Sequence, residues 1–230
     1  MLFRAAYARR VRALELLFPE RCAVCASPGR ALCETCRPSL TRLAPPVCER
    51  CGSPGAWPVR RCGECSGRRL AFARARAAIV YDQRARLLVR EWKERGRRGL
   101  AQEAAALVAE VIPQPDVEAF THVPGDPERA WKRGDVAPRA LARALEDIWG
   151  APSVELLRRT HALPRQRGLA LADRRRNVRR SVAAIGPAPR TVCLVDDVYT
   201  SGATADACAA ALRRAGARRV EVVTLARAVR

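Results

Sequence analysis

Two adjacent carboxylates, Asp196 and Asp197, stand between an apolar run, Val192 to Val195, and a loop of small and hydroxyl residues, Thr200-Ser201-Gly202-Ala203-Thr204. An Ala-rich segment from Ala205 to Ala215 follows. That order predicts a buried parallel strand, a phosphate-sized loop and a helix whose N-terminus faces the loop. Unpaired N–H groups at a helix start, the macrodipole and the hydroxyls of Thr200, Ser201 and Thr204 together make an anion site. Gly202 lets the backbone approach a ligand with no side chain in the way. Paired acids beside such a cradle suit a sugar diol, or a hydrated metal ion, attached to the phosphate. The ligand implied is a phosphorylated sugar. An ordinary strand–turn–helix would account for the apolar run, but not for paired acids followed by this hydroxyl loop.

A second chemistry lies upstream. Eight of the ten cysteines form four Cys-x-x-Cys pairs: Cys22/Cys25, Cys33/Cys36, Cys48/Cys51 and Cys62/Cys65. Such a turn points two thiolates at one tetrahedral ion, and four thiolates close a structural zinc site, so eight fill two. Turn formers such as Pro19, Gly29, Pro38, Gly52 and Gly63 bracket the pairs. With few large apolar residues, so small a segment needs a metal staple to fold. A thioredoxin-like redox motif is the rival, but it uses one pair on a βαβ unit rather than four in series. Consecutive pairing and a cross-braced arrangement both satisfy the ligand count. Short connections within each foursome favour consecutive pairing. Cys193 and Cys208 stand apart, in the expected strand and helix, as small core residues.

At 230 residues and 49% hydrophobic, the chain has room for a medium domain plus a small module, and general disorder is excluded. The formal charge of +20 favours phosphate-rich partners, nucleic acid among them. The arginines are scattered rather than gathered in one arm, which is also how a solvated surface looks. No run approaches the ~18 apolar residues of a membrane span. Arg4, Arg9, Arg10 and Arg12 interrupt the N-terminal apolar residues, which fall at helical spacing and not in the block of a secretory signal. The expectation is a cytoplasmic chain with no membrane insertion.

The elements that must position these residues follow from pattern. Residues 1–20 read as an amphipathic helix, 21–70 as a double zinc ribbon or knuckle module, and 71–230 as an α/β domain. Within the last, strands are expected at Arg76–Asp82, Ala119–Val123, Val154–Leu157, Val192–Val195 and Val220–Leu225. Helices are expected at Ala85–Arg95, Leu100–Ile112 and Pro138–Trp149, the last with Leu141, Leu145 and Ile148 on one face. Strands alternating with helices give a mostly parallel sheet. Residues 164–180 carry seven arginines against one acid, Asp173, and read as a mobile loop whose charges need a polyanion to neutralise them.

The stretch Val192 to Thr204 resembles the phosphoribosyl-pyrophosphate (PRPP) binding motif of type I phosphoribosyltransferases. That resemblance assigns Asp196 and Asp197, as the catalytic pair, to the ribose hydroxyls, and Thr200, Ser201, Gly202, Ala203 and Thr204 to the 5′-phosphate. With the cysteine module in front, the chain from about Leu17 to Arg227 resembles the ComF family. Lys93-Glu94-Arg95-Gly96 matches a Lys-x-x-Gly turn of that family. Gln166, Leu169, Arg174 and Asn177 match its loop before the penultimate strand, and Gly216-Ala217 with Leu225-Ala226-Arg227 match its terminal strand.

The resemblance implies a phosphoribosyltransferase-like domain with helices on both faces of its sheet. It also implies magnesium accompanying PRPP, and Lys93, Arg129, Arg174 and Asn177 as pyrophosphate or loop contacts. The family's tie to natural competence adds single-stranded DNA and the DNA-uptake machinery as partners. Two departures bear on activity. The segment 123–137 lacks the family's Phe, Asn and Gln, and places Asp126 and Glu128 where a polyanion would be gripped. Leu163 replaces a usual Thr.

Two functions follow. An enzyme would displace pyrophosphate from C1 of PRPP with a nitrogen nucleophile, and the sequence names no residue for the acceptor. A non-catalytic module would hold single-stranded DNA in the cytoplasm without turnover, or sense PRPP as a regulator; only 5% of residues are aromatic, though Trp57, Trp92, Trp131 and Trp149 are present.

Overall fold

In a computed structural model of the chain, residues 19–97, 99–125, 137–160 and 181–229 are described. The expected helix over residues 1–20 and the loop 164–180 fall almost wholly outside them, as do Arg129, Arg174 and Asn177.

Strands β1 (Arg74–Val80), β2 (Ala119–His122), β5 (Thr191–Tyr199) and β6 (Arg219–Arg227) form one sheet in the order β1-β6-β5-β2, every pair parallel. Alternation along the inner strands divides the core. Cys193 and Val195 of β5, with Val223 and Leu225 of β6, pack into one hydrophobic cluster. That cluster holds the buried faces of α1 (Gln83–Arg95), α2 (Gly99–Val111) and α3 (Ala137–Trp149). Val192, Leu194, Val220 and Val222 point the other way, onto α4 (Ala203–Arg214). Period-two side-chain alternation in a strand buried on both sides requires such a split. The result is the mostly parallel sheet with helices on both faces that the sequence implies.

Helix α1 begins at Asp82, whose carboxylate accepts a hydrogen bond from the Ala85 N–H at 3.0 Å. It ends at Gly96, in the left-handed region at φ 60°, a common helix stop. Its buried positions Ala85, Leu88, Val89 and Trp92 repeat at helical spacing. In α3 the buried face is carried by Leu141, Leu145 and Trp149, while Ile148 is exposed, unlike the expected Leu141–Leu145–Ile148 face. Trp149 takes the place by stacking on Phe120 of β2, with ring centroids 5.7 Å apart.

Expected boundaries shift most at two places. The strand expected at Val154–Leu157 instead spans Leu157–Arg159 (β3) and pairs antiparallel with β4 (Val182–Ala184), outside the main sheet. The stretch before β3 meets β2 through a bridge of Ser153 with Phe120, the Phe120 N–H donating to the Pro152 carbonyl and the Val154 N–H to the Phe120 carbonyl. Strand β5 runs on through both acids to Tyr199, because β6 continues beside it as far as Arg227. The acids therefore lie inside the strand's carboxyl-terminal part.

The cysteine module lies along β1. Leu43 N–H donates to the Ala78 carbonyl, Thr41 accepts from Val80, and Ala75 N–H donates to the Arg50 carbonyl. These bonds occupy groups that an edge strand would otherwise expose. Gly52 permits the approach: at φ +71°, a Cβ there would stand 2.5 Å from the Ala75 carbonyl oxygen.

Candidate functional site

The acid pair sits where helices leave adjacent strands on opposite faces, α3 after β2 on one side and α4 after β5 on the other. In open α/β sheets, the crevice outside the strand ends at such a point is where ligands bind. Asp197 is buried and shares its face with α1, whose Lys93 ammonium pairs with the Asp197 carboxylate. Asp196 points to the opposite side and accepts the Asp197 N–H at 2.9 Å. Burial pushes the Asp196 carboxyl up to about 7, against the pull of Lys93 and Arg159. Lys93 in turn is lowered by partial burial, which Asp196 opposes. Arg159 is oriented by donating from Nε to the Pro124 carbonyl at 2.9 Å. A half-buried carboxyl whose pKa is raised gains from a hydroxyl donor or cation brought beside it.

The loop beyond is held from beneath. Gly202 precedes α4 at φ 70° and offers no capping side chain, while the Ser201 hydroxyl accepts the Ala203 N–H at 3.4 Å. A Cβ on Gly202 would overlap the Tyr199 phenol. The Tyr199 ring is fixed in turn by an edge-on contact with Phe72, centroids 6.3 Å apart, and by the Arg227 guanidinium, 4.5 Å from its centroid. Arg68 donates to the Ser201 carbonyl at 2.9 Å, and Asp206 of α4 accepts the Ala71 N–H at 2.7 Å. Thr200 is exposed, Ser201 and Ala203 half-buried. The start of α4 thus presents backbone N–H groups next to the acid pair, the geometry an anion uses.

Of the site residues expected from sequence, Asp196, Asp197 and Thr200 through Thr204 are brought together. Lys93 joins them, but on Asp197 rather than standing free for a pyrophosphate. Tyr199, Arg227, Arg68 and Asp206 were missed. Their only sequence signal is Tyr199 closing the strand next to the hydroxyl loop; the register that sets it opposite Arg227 is invisible in one dimension.

The eight cysteines gather as two consecutive foursomes, Cys22/Cys25/Cys33/Cys36 and Cys48/Cys51/Cys62/Cys65, with the ligand atoms of each within 4.8 Å of one another. Consecutive pairing is therefore what the fold adopts. Zn–S bonds of about 2.3 Å in a tetrahedron place sulfurs about 3.8 Å apart. The Cys25–Cys33 sulfurs lie at 3.7 Å, Cys48–Cys65 at 3.6 Å and Cys51–Cys62 at 3.5 Å. The donor sets fit two zinc ions. Burial opposes the Cys48 thiolate, yet neighbouring backbone N–H groups outweigh it and bring that thiol down to about 7.

The second site is wired to the sheet. Arg227, fully buried at the end of β6, donates to the Cys51 carbonyl at 2.7 Å and pairs with Glu64 at 2.6 Å. The same guanidinium covers Tyr199.

Residues 13–66 match the double zinc ribbon domain family. The chain is similar to Competence protein F of Haemophilus influenzae, 26% identical over 86% of this chain and 90% of that protein. It is also similar to the DNA utilization protein YhgH of Escherichia coli K12, 29% identical over 92% of this chain and 99% of that protein. The resemblance to the ComF family thus extends along nearly the whole chain. Among solved structures, adenine phosphoribosyltransferase from Thermoanaerobacter pseudethanolicus is 13% identical with a TM-score of 0.36, over 57% of this chain and 82% of that one. Among the described residues, no helix is long and apolar enough to cross a membrane.

Proposed function

We propose that this chain is a ComF-type competence protein whose acid pair and loop bind PRPP or another phosphorylated ribose. One observation carries the proposal: a carboxylate pair, one member tied to Lys93 and the other pushed up by burial, directly precedes the hydroxyl loop and the start of α4. A ribose diol donates hydroxyl hydrogens to Asp196 and Asp197, which offsets the burial of Asp196. The 5′-phosphate accepts from the backbone N–H groups of residues 202–204 and from the loop hydroxyls.

If transfer occurs, the C1–O bond to pyrophosphate breaks and a C1–N bond forms, with the nucleophile's proton lost to solvent. Charge then builds on an oxocarbenium-like sugar, so the chain's contribution is positioning and electrostatic stabilisation by the two carboxylates. The hard-oxygen donors suit magnesium, which when bound would neutralise pyrophosphate while keeping much of its water. Arg129, Arg174 and Asn177 are proposed to face the pyrophosphate. Lys93 instead pairs with Asp197.

Calorimetric titration with PRPP and magnesium tests the site. Wild type binds, and Asp196→Asn with Asp197→Asn loses at least tenfold in affinity while the zinc content is retained. Equal affinity in the double variant would remove these acids from the site. Pyrophosphate release with a panel of amines and bases then separates an enzyme from a sensor.

A second function is favoured by the charge of +20 and by relatives named for competence and DNA utilization. Here the chain also holds single-stranded nucleic acid, chiefly through phosphates, so affinity falls steeply with salt.

A further inference from the structure

The amino-terminal end of the sheet carries a different chemistry. A cleft of about 730 Å³ lies between the second zinc ribbon and the starts of β1 and β6, lined by Arg50, Arg60, Arg61, Arg74, Arg76 and Arg219, with Glu49 the single acid on its wall. We propose that this cleft binds the phosphodiester backbone of a single-stranded nucleic acid. The proposal rests on the nucleic-acid function above and names its site.

The guanidiniums are held, not dangling. Glu221, buried behind the strand, pairs with Arg74 at 2.6 Å and with Arg219 at 2.7 Å. Arg50 donates to the Leu70 carbonyl at 2.7 Å, and Arg76 to the Glu49 carbonyl at 3.0 Å. Two carboxylates oppose six guanidiniums, so the wall keeps a net positive charge. Six guanidiniums gathered around one cleft repel one another. Arg50 Nε is a buried donor with no acceptor among the described residues. A row of phosphates offsets that repulsion and satisfies the donors, which carbonyls alone do not.

A strand, rather than a lone phosphate, fits what lies alongside. Trp57, 70% exposed, sits in the loop that delivers Arg60 and Arg61. Its neighbour Pro58 lines an adjoining cavity of about 380 Å³ that shares Arg74 and Arg76 with the cleft. An exposed ring three and four residues before Arg60 and Arg61 supplies the pairing that sequence-tolerant single-strand sites use, phosphate to cation and base to aromatic face. Five residues of β6 separate Arg219 from Thr224, the register partner of Asp196. At about 3.3 Å per residue the two sites stand roughly 16 Å apart, so both ligands fit at once.

The test is fluorescence anisotropy with a labelled oligo(dT), zinc-loaded full-length protein and a salt series. Wild type should bind with a steep salt slope. Arg60→Glu with Arg61→Glu should weaken affinity at least tenfold and flatten the slope by about one to two, at about 0.7 per phosphate contact. Trp57→Ala should cost about tenfold. Asp196→Asn should bind the oligonucleotide like wild type, and PRPP should not displace it. Unchanged zinc content and Tm show that the charge variants fold; if they do not, Trp57→Ala and PRPP competition carry the test.

If wild type fails to bind oligo(dT), both this site and the nucleic-acid function fall, while the sugar-phosphate site stands. If wild type binds and the arginine variant binds equally well, the cleft is wrong and the function stands. If inorganic polyphosphate displaces the oligonucleotide while Trp57→Ala leaves affinity unchanged, the cleft is a general polyanion site, which overturns the proposal.

Discussion

The two zinc ribbons share one ligand pattern and differ in what they are fastened to. The first packs Cys22, Leu32, Cys36 and Leu40 into the cluster beneath α1 and α2. Its tethers are partly exposed pairs, Arg37 to Glu103 at 3.1 Å and to Glu110 at 3.0 Å. Exposed pairs of this kind contribute about 0–1 kcal/mol each. The second lies in the other cluster, with Leu70, Phe72 and Tyr199, and is bolted to the end of β6 by the buried Arg227. Only the second therefore reaches the loop of the candidate site, through Cys51, Arg227, Tyr199 and Gly202 in turn. A repeated motif does not imply a repeated role: the first ribbon braces helices, and the second supports the floor of a binding loop.

The sharpest way to break this distinction is to remove one ligand from each ribbon. Cys51→Ser should lose one zinc per chain and speed hydrogen exchange at the hydrogen-bonded amides that open α4, beginning with Asp206, whose N–H donates to the Gly202 carbonyl at 2.9 Å. Cys25→Ser should lose one zinc as well, yet leave those amides as protected as in wild type. Equal exchange in the two variants would abolish the distinction.

Next in size is Arg227→Met, which takes the buried guanidinium from the buried Cys51 and from the part-exposed Glu64 carboxylate. Removing one partner of a buried pair costs about 3–5 kcal/mol, to be read from urea unfolding. A loss below about 1 kcal/mol would mean that Glu64 simply reaches solvent and that the link is ornamental.

Gly202→Ala combines a left-handed backbone with overlap on Tyr199. It should cost about 2 kcal/mol and lower Tm by about 4–8 °C. The companion Gly29→Ala also stands at positive φ, but with nothing within 4 Å of its added Cβ. It should lower Tm by less, and a reversed order would contradict the tight floor under the loop.

The smallest effect reverses sign. Burial raises the folded pKa of Asp196 to about 7, from an ordinary value of 3.8. Between those limits the folded state holds more protons than the unfolded, so stability falls as pH rises through the interval and is level above it. Asp196→Asn escapes that loss. It should match wild type near pH 4 and exceed it by about 1–2 kcal/mol at pH 8, allowing for partial exposure. An acid that destabilises the free fold is what a ligand-binding position tolerates. Equal stability at both pH values would remove the argument from burial.

Much of the architecture was legible because its causes are local. The apolar spacing of Ala85, Leu88, Val89 and Trp92 determines a helix wherever the chain goes, and Asp82 and Gly96 mark its ends. The same spacing logic failed at Ile148, because which side of a short helix is buried depends on what packs there, here Phe120 against Trp149. It failed again near residue 154, where one apolar stretch could join the main sheet or pair elsewhere. Only the partner strand at Val182–Ala184 decides that.

The sequence by itself determined the chemistry on offer: eight thiolates in pairs, two carboxylates at a strand's end, a hydroxyl loop before a helix and an excess of arginine. Each is written within a dozen or so residues, because turn geometry and strand or helix periodicity act over that range. Tertiary structure alone decided what meets what. Lys93 reaches Asp197 across the α1 face, Arg227 reaches Cys51 from 176 residues away, and Arg50, Arg60, Arg74 and Arg219 converge on one cleft. Those meetings depend on the strand order β1-β6-β5-β2 and its parallel register. That order is fixed by the collective burial of two hydrophobic faces, which no single stretch of sequence encodes.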